Sequence, residues 1–187
     1  NIVINFGGNI NHDNKSQIEN SHYKLCKNLV KFFNKKKIDM FIQAGSSMEY
    51  GISKAPHNEK NKCKPKFYYG ISKLKSTQIL KKSKLNYVVL RLYQIYGPYQ
   101  KINRLVPIAI NRLINKKSFN ASSGQQIRDF MYIDDFTRLL KKIFLIKKPL
   151  KGIYNVGSGK PIKVKKIFNQ IEKIIKNGKV NYNIIKM

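Results

Sequence analysis

Three short apolar runs, separated by segments with helical spacing, constrain the fold of this chain most strongly. They are residues 1–6 (NIVINF), 38–44 (IDMFIQA) and 87–93 (YVVLRLY). Each has the length and composition of a buried strand, and the first two run into small or polar residues that are typical of turns. Strands that alternate with helices favour a parallel sheet, because each connection must cross back over the sheet. The sequence therefore predicts an α/β fold.

Hydrophobic spacing predicts the remaining elements. Helices are expected at residues 22–35, 105–114 and 136–145, followed by a last helix that starts near Val164 and ends at Gly178. Residues 67–81, which contain a Tyr-x-x-x-Lys segment, are taken as a further helix. Asp135 is expected to cap the helix that begins at Phe136. Residues 127–133 alternate like a strand, 153–156 form a short strand, and 51–66 form a polar surface loop.

Ser46, Tyr69 and Lys73 form a possible chemical unit. Ser46 follows the apolar run 38–44, and Tyr69 and Lys73 are four residues apart, so a helix places both side chains on one face. A free tyrosine has a pKa near 10 and is mostly protonated at neutral pH. Lowering that pKa to about 7 takes roughly 4 kcal/mol, which one ammonium at about 4 Å supplies. Such a group can take a proton from a sugar or an alcohol.

Six segments in chain order resemble the extended short-chain dehydrogenase/reductases, in the NAD-dependent epimerase/dehydratase group that acts on nucleotide sugars. They are IVINFGG, FIQAGSSMEYG, YYGISK, RLYQIYGPYQ, QQIRDFMYIDD and GIYNVGSGKPIKV. A lone Tyr-x-x-x-Lys occurs by chance in many lysine-rich chains, where it is a packing tyrosine and a solvated lysine. Six ordered segments are far more specific.

The resemblance implies the C-terminal part of a Rossmann-like doubly wound parallel sheet plus part of a small substrate-binding lobe. Residues 1–100 would form the latter half of the nucleotide-binding domain, and residues 101–187 mostly the lobe, incomplete at its C-terminal end. The half with the Gly-x-x-Gly-x-x-Gly turn, which binds the cofactor phosphates, is missing from these residues. We therefore expect this chain alone to have little or no NAD affinity. The resemblance also implies a homodimer for the intact protein.

The resemblance assigns site residues by matching position. The catalytic residues would be Ser46, Tyr69 and Lys73; the cofactor, NAD or NADP, would contact Phe6, Gly7, Gly8, Tyr69, Lys73 and Tyr93; and a nucleotide-sugar substrate would contact Ser47, Gln94, Arg128 and Asn155. Ser46 is chosen because the family's catalytic Ser or Thr stands four residues before the Tyr of Tyr50-Gly51, and Ser47 is the alternative. From the residues alone, plainer roles stay open, namely turns at Gly7-Gly8 and Asn155 and a surface ion pair at Arg128.

Two departures from the family pattern reduce the number of reactions that the resemblance allows. The family's 4,6-dehydratases have an Asp-Glu pair directly after the catalytic Thr, and here those positions are Ser47 and Met48. Neither side chain suits the acid/base work of removing water. Gln94 stands where the family usually has an Asn that contacts the substrate, so the sugar stays open. We expect an epimerase or a 4-keto-sugar reductase rather than a dehydratase.

Composition bounds the remaining function classes. The chain has 38 Lys and Arg against 9 acidic residues, a formal charge of +29, which invites a nucleic-acid-binding interpretation. The lysines are spread over almost every segment and accompany abundant Asn and Ile, as in low-GC genomes, so we do not predict specific nucleic-acid binding. A basic surface would still attract anionic nucleotides. A non-catalytic nucleotide-sugar-binding fragment is the main alternative to an enzyme.

Spacing gives no indication of a metal, a disulfide or a membrane segment. Cys26 and Cys63 are far apart without C-x-x-C spacing, and the three histidines show no ligand pattern. No apolar run approaches the length of a membrane helix, and the first residues do not resemble a signal peptide. We expect a metal-free, cytoplasmic protein.

Overall fold

Short apolar runs form the strands of this computed structural model, which describes residues 1–9, 14–147 and 150–186. The strands are β1 (Ile2–Asn5), β2 (Met40–Ser46), β3 (Tyr87–Leu92), β4 (Gln94–Tyr96), β5 (Phe119–Asn120), β6 (Ile127–Tyr132), β7 (Gly152–Val156), β8 (Pro161–Lys163) and β9 (Val180–Asn181). The helices are α1 (Lys15–Ile18), α2 (Leu25–Phe33), α3 (Tyr68–Lys82), α4 (Leu105–Ile114), α5 (Ile133–Leu145) and α6 (Val164–Ile175). A π-helical stretch, Glu19–Lys24, joins α1 to α2, and Ser47–Glu49 form a 3₁₀ turn.

The first of two compact units, Asn1–Tyr93 with Leu139–Val156, contains a parallel sheet in the order β1-β2-β3-β7. Ile42 of β2 pairs with Ile4 of β1 and with Val88 of β3. Every residue of β2 is buried, as expected of a strand covered on both faces. The predicted α/β class with a parallel sheet is confirmed. The chain returns to this unit after residue 138 because β7 extends the sheet beside β3.

Helices α2 and α3 pack against the sheet of the first unit through an apolar core. Its buried members include Cys26 and Val30 of α2, Leu80 of α3, Phe41 of β2 and Val89 of β3. The apolar spacing that predicts α2 therefore corresponds to its buried face, whereas the buried face of α3 is largely polar.

The helix expected at residues 22–35 begins earlier, at Lys15. Asn14 caps it, because its side-chain oxygen accepts a hydrogen bond from the Gln17 N–H at 3.0 Å. The residues between the cap and Leu25 are mostly polar, so hydrophobic periodicity does not reveal them. The π-helical stretch changes the phase of the buried face within the same segment.

The second unit, Gln94–Arg138 with Gly157–Met187, has smaller sheets. β6 pairs in parallel with β4 and antiparallel with β8, and β5 pairs in parallel with β9. The core lies between α4 and α6 and includes Ala109, Leu113, Val164, Phe168 and Ile171. This unit contains the predicted helix at 105–114, the predicted strand at 127–133 and the last predicted helix, whereas the predicted strand at 153–156 belongs to the first unit.

Two predicted helix boundaries are wrong. α5 begins at Ile133, directly after β6, so Asp135 lies within its first turn rather than at the cap. Its carboxylate contacts Arg138 one turn later. α6 ends at Ile175, where Lys176 adopts a left-handed conformation with φ 58°, before Gly178 is reached.

None of the helices in the described ranges combines the length and the hydrophobicity that a membrane crossing requires.

Candidate active site

Ser46 is the last residue of β2 and begins a tight capped turn. Its hydroxyl oxygen accepts a hydrogen bond from the Met48 N–H at 3.2 Å, and its own N–H donates to Glu49 Oε1 at 2.9 Å. This reciprocal pair is a capping box, which fixes the backbone where the strand ends. Ser46 is buried, and Ser47, the alternative, is half-buried in the 3₁₀ turn.

Gly70 allows α3 to approach this turn closely. A Cβ atom on Gly70 would lie 2.4 Å from the Met48 carbonyl oxygen, well inside van der Waals contact. The glycine of the YYGISK segment therefore brings the first turn of α3, with Tyr69, against the 3₁₀ turn that follows Ser46.

Tyr69 and Lys73 lie on one face of α3, as the four-residue spacing predicts. The Lys73 Nζ atom is 5.7 Å from the centroid of the Tyr69 ring. It also donates a hydrogen bond to the Ala44 carbonyl oxygen of β2 at 2.8 Å. This bond ties the lysine to the strand that delivers Ser46. The structure thus places the three predicted catalytic residues around the carboxyl end of β2.

The Lys73 ammonium is almost completely buried, with 4% of the residue exposed. Burial lowers its pKa from the usual 10.5 to about 8, and the Glu49 carboxylate and the Cys26 thiol act in the opposite direction. Lys73 is therefore still largely protonated at neutral pH. It supplies a positive charge next to the tyrosine in surroundings that screen it poorly.

His22 is a site residue that the sequence analysis missed. Its ring meets the Tyr69 ring edge-on, with the centroids 5.1 Å apart. The π-helical stretch carries His22 to this buried position, and its Nε2 atom lies 2.8 Å from the Asn9 carbonyl oxygen. The sequence does not predict this contact, because His22 is a single histidine in a polar segment. The residue pattern also does not show that residues 19–24 form a π-helix, which determines where His22 points.

The predicted cofactor residues follow the carboxyl ends of two strands in this sheet. Phe6, Gly7 and Gly8 come after β1, and Phe6 is 43% exposed. A Cβ atom on Gly8 would lie 2.1 Å from the His22 ring, so this glycine packs directly on that histidine. Tyr93 follows β3, and its hydroxyl lies 3.0 Å from His57 Nδ1. Their role in cofactor binding stays a prediction.

The predicted substrate residues are divided between the two units. Ser47 and Asn155 belong to the first unit, and Gln94 and Arg128 to the second. Asn155 Oδ1 accepts from the Tyr50 hydroxyl at 2.8 Å, and its Nδ2 donates to the His57 carbonyl at 3.2 Å. The Asn155 amide therefore already serves contacts within the protein. Arg128 lies on β6, where it is exposed.

A buried ion pair, which the sequence analysis also missed, lies behind Ser46. Arg91 Nε is 3.0 Å from Glu49 Oε2, and both residues are almost fully inaccessible. The guanidinium also lies over the Tyr50 ring and contacts the Cys63 sulfur. An arginine within the apolar run YVVLRLY is a usable signal, because a charge in a buried strand requires a partner. Within residues 1–9, 14–147 and 150–186, no cluster of three or more His, Cys, Asp or Glu residues is arranged to bind a metal ion.

Comparison with known proteins identifies relatives of this arrangement. Residues 1–157 match the family described as the NAD dependent epimerase/dehydratase family. The dTDP-4-dehydro-6-deoxyglucose reductase of Escherichia coli is 31% identical over 171 residues, covering 84% of this chain and 52% of that protein. CDP-abequose synthase of Salmonella muenchen is 33% identical over 105 residues, covering 54% and 35%. The chain therefore spans about half the length of the reductase that it matches.

A solved structure shows the same fold. UDP-glucuronic acid 4-epimerase from Bacillus cereus, in complex with UDP-glucuronic acid and NAD, superposes with a TM-score of 0.89 at 23% identity. The match covers 97% of this chain and 62% of that chain. At this identity the likeness establishes the fold, and the chemistry has to be argued from the residues.

Proposed function

Because this chain belongs to the NAD-dependent epimerase/dehydratase family, we propose that its intact protein is a nucleotide-sugar epimerase or 4-keto-sugar reductase. The observation that carries the proposal is the placement of Lys73. Its buried ammonium lies beside the Tyr69 ring and is bonded to the strand that ends at Ser46. A base and a charge that activates it, both on α3, and a hydroxyl for positioning, at the end of β2, are thereby supplied by two adjacent elements.

In the proposed mechanism, Tyr69 exchanges a proton with a hydroxyl of the sugar. Lys73 stabilises the tyrosinate electrostatically, and burial strengthens this effect because little water screens the charge. Ser46 orients the same sugar hydroxyl by a hydrogen bond. In a reductase the proton moves in the opposite direction, from Tyr69 to the sugar oxygen, and the same three residues serve both directions.

The residues present fit a nicotinamide cofactor. Phe6, Gly7 and Gly8 follow β1 and Tyr93 follows β3, and the carboxyl ends of parallel strands are where dinucleotides bind in such folds. The Lys73 ammonium has three N–H donors, of which Ala44 accepts one, so it suits a cofactor hydroxyl as well. When bound, NAD or NADP accepts or returns the hydride.

The residues after Ser46 favour epimerase or reductase chemistry over dehydration. Ser47 and Met48 carry no carboxylate, and the Glu49 carboxylate is fully buried and bonded within the protein. The name of one curated relative, a dTDP-4-dehydro-6-deoxyglucose reductase, supports the reductase alternative. We propose that Arg128 binds the diphosphate, since a guanidinium suits that forked contact, and that Ser47, Gln94 and Asn155 contribute to the substrate site.

The proposal includes the homodimer and the cytoplasmic setting that the sequence predicts. Cys26 and Cys63 are free thiols, which suits a reducing compartment. Light scattering of the intact protein checks the oligomeric state, and a monomeric mass would contradict the dimer.

The function is tested by supplying the intact protein with UDP-, dTDP- and CDP-sugars together with NAD or NADPH. We expect either an epimer without net cofactor consumption, or stoichiometric consumption of the reduced cofactor with a 4-keto substrate. Chromatography and proton NMR of the nucleotide sugar distinguish these two products. Formation of a 4-keto-6-deoxy sugar from a 6-hydroxyl substrate, or no change in any nucleotide sugar, would contradict the proposal.

A further inference from the structure

We propose that Glu49 is a positioning residue for Ser46, Tyr69 and Lys73: its carboxylate fixes the backbone of Ser46 and places a buried negative charge against the face of α3 that carries Lys73. The catalytic meaning of this inference rests on the proposed function. The contacts that support it lie within the protein and do not involve a substrate.

The Glu49 carboxylate connects three elements of the site. Oε1 accepts a hydrogen bond from the Ser46 N–H at 2.9 Å, and Oε2 accepts from the Thr77 hydroxyl at 2.9 Å and from Arg91 Nε at 3.0 Å. Thr77 stands on α3, two turns after Tyr69, and Arg91 on β3. The carboxylate thereby holds the end of β2, the helix with the tyrosine and the neighbouring strand in one arrangement.

The site leaves room for this carboxylate at Gly45. A Cβ atom on Gly45 would lie 2.7 Å from Glu49 Oε1 and 2.8 Å from a methyl group of Val89. The small residue before Ser46 is therefore required by the position of Glu49. The segment AGSSMEYG therefore contains Ser46, the Glu49 that caps it, and Gly45, which leaves room for the Glu49 carboxylate.

Burying a carboxylate costs desolvation free energy, which hydrogen bonds and a partner cation offset. Arg91 offsets the charge of Glu49, yet an apolar pair of similar size is often as stable as a buried ion pair. Thr77, whose hydroxyl bonds Glu49 Oε2, stands one turn after Lys73 on the same buried face of α3, so the carboxylate is held against that face. Glu49 is the stronger of the two groups that oppose the effect of burial on the pKa of Lys73. The negative charge therefore extends the pH range in which Lys73 can stabilise a tyrosinate.

Several other titratable or charged groups lie around Glu49, Tyr69 and Lys73, and their effects must be distinguished from that of Glu49. They are the Cys26 thiol from α2, the His22 imidazole from the π-helical stretch, Arg91 from β3, and Tyr50 and Cys63, which contact Arg91. Glu49 is the carboxylate in this set. Removal of Glu49 should therefore lower the pKa of Lys73, whereas removal of a nearby cation should raise it.

The experiment measures the titration of Lys73 directly, by NMR of 15N-labelled lysine side chains, with the resonance assigned from a Lys73→Met variant. In the unaltered protein we expect a midpoint near pH 8. In Glu49→Gln, which keeps the shape and removes the charge, the midpoint should fall by about one pH unit. Thr77→Val is the matched control, because it removes one hydrogen bond to Glu49 but keeps the charge, and its midpoint should not move.

A second variant keeps the test decisive if Glu49→Gln fails to fold around the unpaired Arg91. Glu49→Gln/Arg91→Met removes both charges, and its midpoint should also fall, by less than in the single variant. An unchanged midpoint in either folded variant, or an equal fall in Thr77→Val, would overturn the proposal. The measurement needs no substrate or cofactor, so its outcome is independent of whether the proposed turnover is found.

Discussion

At the scale of single residues, Lys73 links the stability of the fold to the chemistry of the site. Its side chain is buried and its pKa is lowered from 10.5 to about 8, mainly by burial. A lysine whose pKa is lower in the folded state binds its proton less tightly there than in the unfolded chain. The buried charge therefore opposes folding below about pH 8, and this opposition decreases as the pH rises toward 10.5.

Comparison of the unaltered protein with Lys73→Met should reveal this linkage. Between pH 7 and pH 10 the unaltered protein should gain roughly 2 to 3 kcal/mol of unfolding free energy relative to the variant. Urea denaturation at both pH values measures the unfolding free energies, and subtracting the value for Lys73→Met cancels the titration of the other lysines. A pH-independent difference would show that Lys73 is solvated and has an ordinary pKa.

The sequence predicts some site residues and not others for a physical reason. Tyr69 and Lys73 could be placed because a helix fixes the relation between positions four apart. Glu49 and His22 could not, since their roles depend on contacts with Thr77, Arg91 and Tyr69, which are distant in sequence. Arg91, a charged residue inside an apolar strand, indicates that a buried partner of opposite charge exists. The strand pattern does not show that this partner is Glu49.

At the scale of secondary-structure elements, the approach of α3 to the turn after Ser46 is the critical contact. An alanine in place of a glycine usually stabilises the interior of a helix by about 0.5 to 1 kcal/mol. At Gly70 the added methyl group would meet the backbone carbonyl of Met48 at 2.4 Å, and a backbone atom cannot rotate away.

Gly70→Ala should therefore have the opposite sign and destabilise the protein by about 1 to 3 kcal/mol. It should also reduce turnover of the intact protein, because α3 carries Tyr69 away from Ser46. Gln78→Ala, at an exposed position of the same helix, is the control and should change stability by less than about 0.5 kcal/mol. Thermal and urea unfolding measure both variants, and a stabilised Gly70→Ala would show that the two elements are further apart.

Element types were predictable, and their boundaries less so. The strand expected at 38–44 is observed at Met40–Ser46, which makes Ser46 the last residue of the strand. The expected helix at 67–81 is observed at Tyr68–Lys82. A continuous apolar run reveals β2, because both of its faces are buried. The Tyr-x-x-x-Lys spacing indicates α3, whose buried face is largely polar, so hydrophobic periodicity does not reveal that helix. Periodicity also fails at Lys15–Lys24, where a polar segment and a π-helical phase determine the structure.

At the scale of the whole molecule, the chain combines a parallel sheet that carries the proposed chemistry with a second unit that carries two of the proposed substrate residues. Ser46, Tyr69 and Lys73 all belong to the first unit, whereas Gln94 and Arg128 belong to the second. The sequence identifies the family through motifs in both units. It leaves the sugar and the nucleotide base open, since these depend on how individual side chains such as Gln94 meet a substrate.

The proposed mechanism depends on Tyr69 as the group that transfers the proton, and Tyr69→Phe tests this most directly. The substitution keeps the ring that packs against His22 and Lys73 and removes the hydroxyl. Turnover of the nucleotide sugar by the intact protein should fall by at least about a hundredfold, because the general base is lost. Calorimetric binding of the same nucleotide sugar should remain within a fewfold of the unaltered protein. Retained turnover in Tyr69→Phe, with the fold intact, would contradict the account.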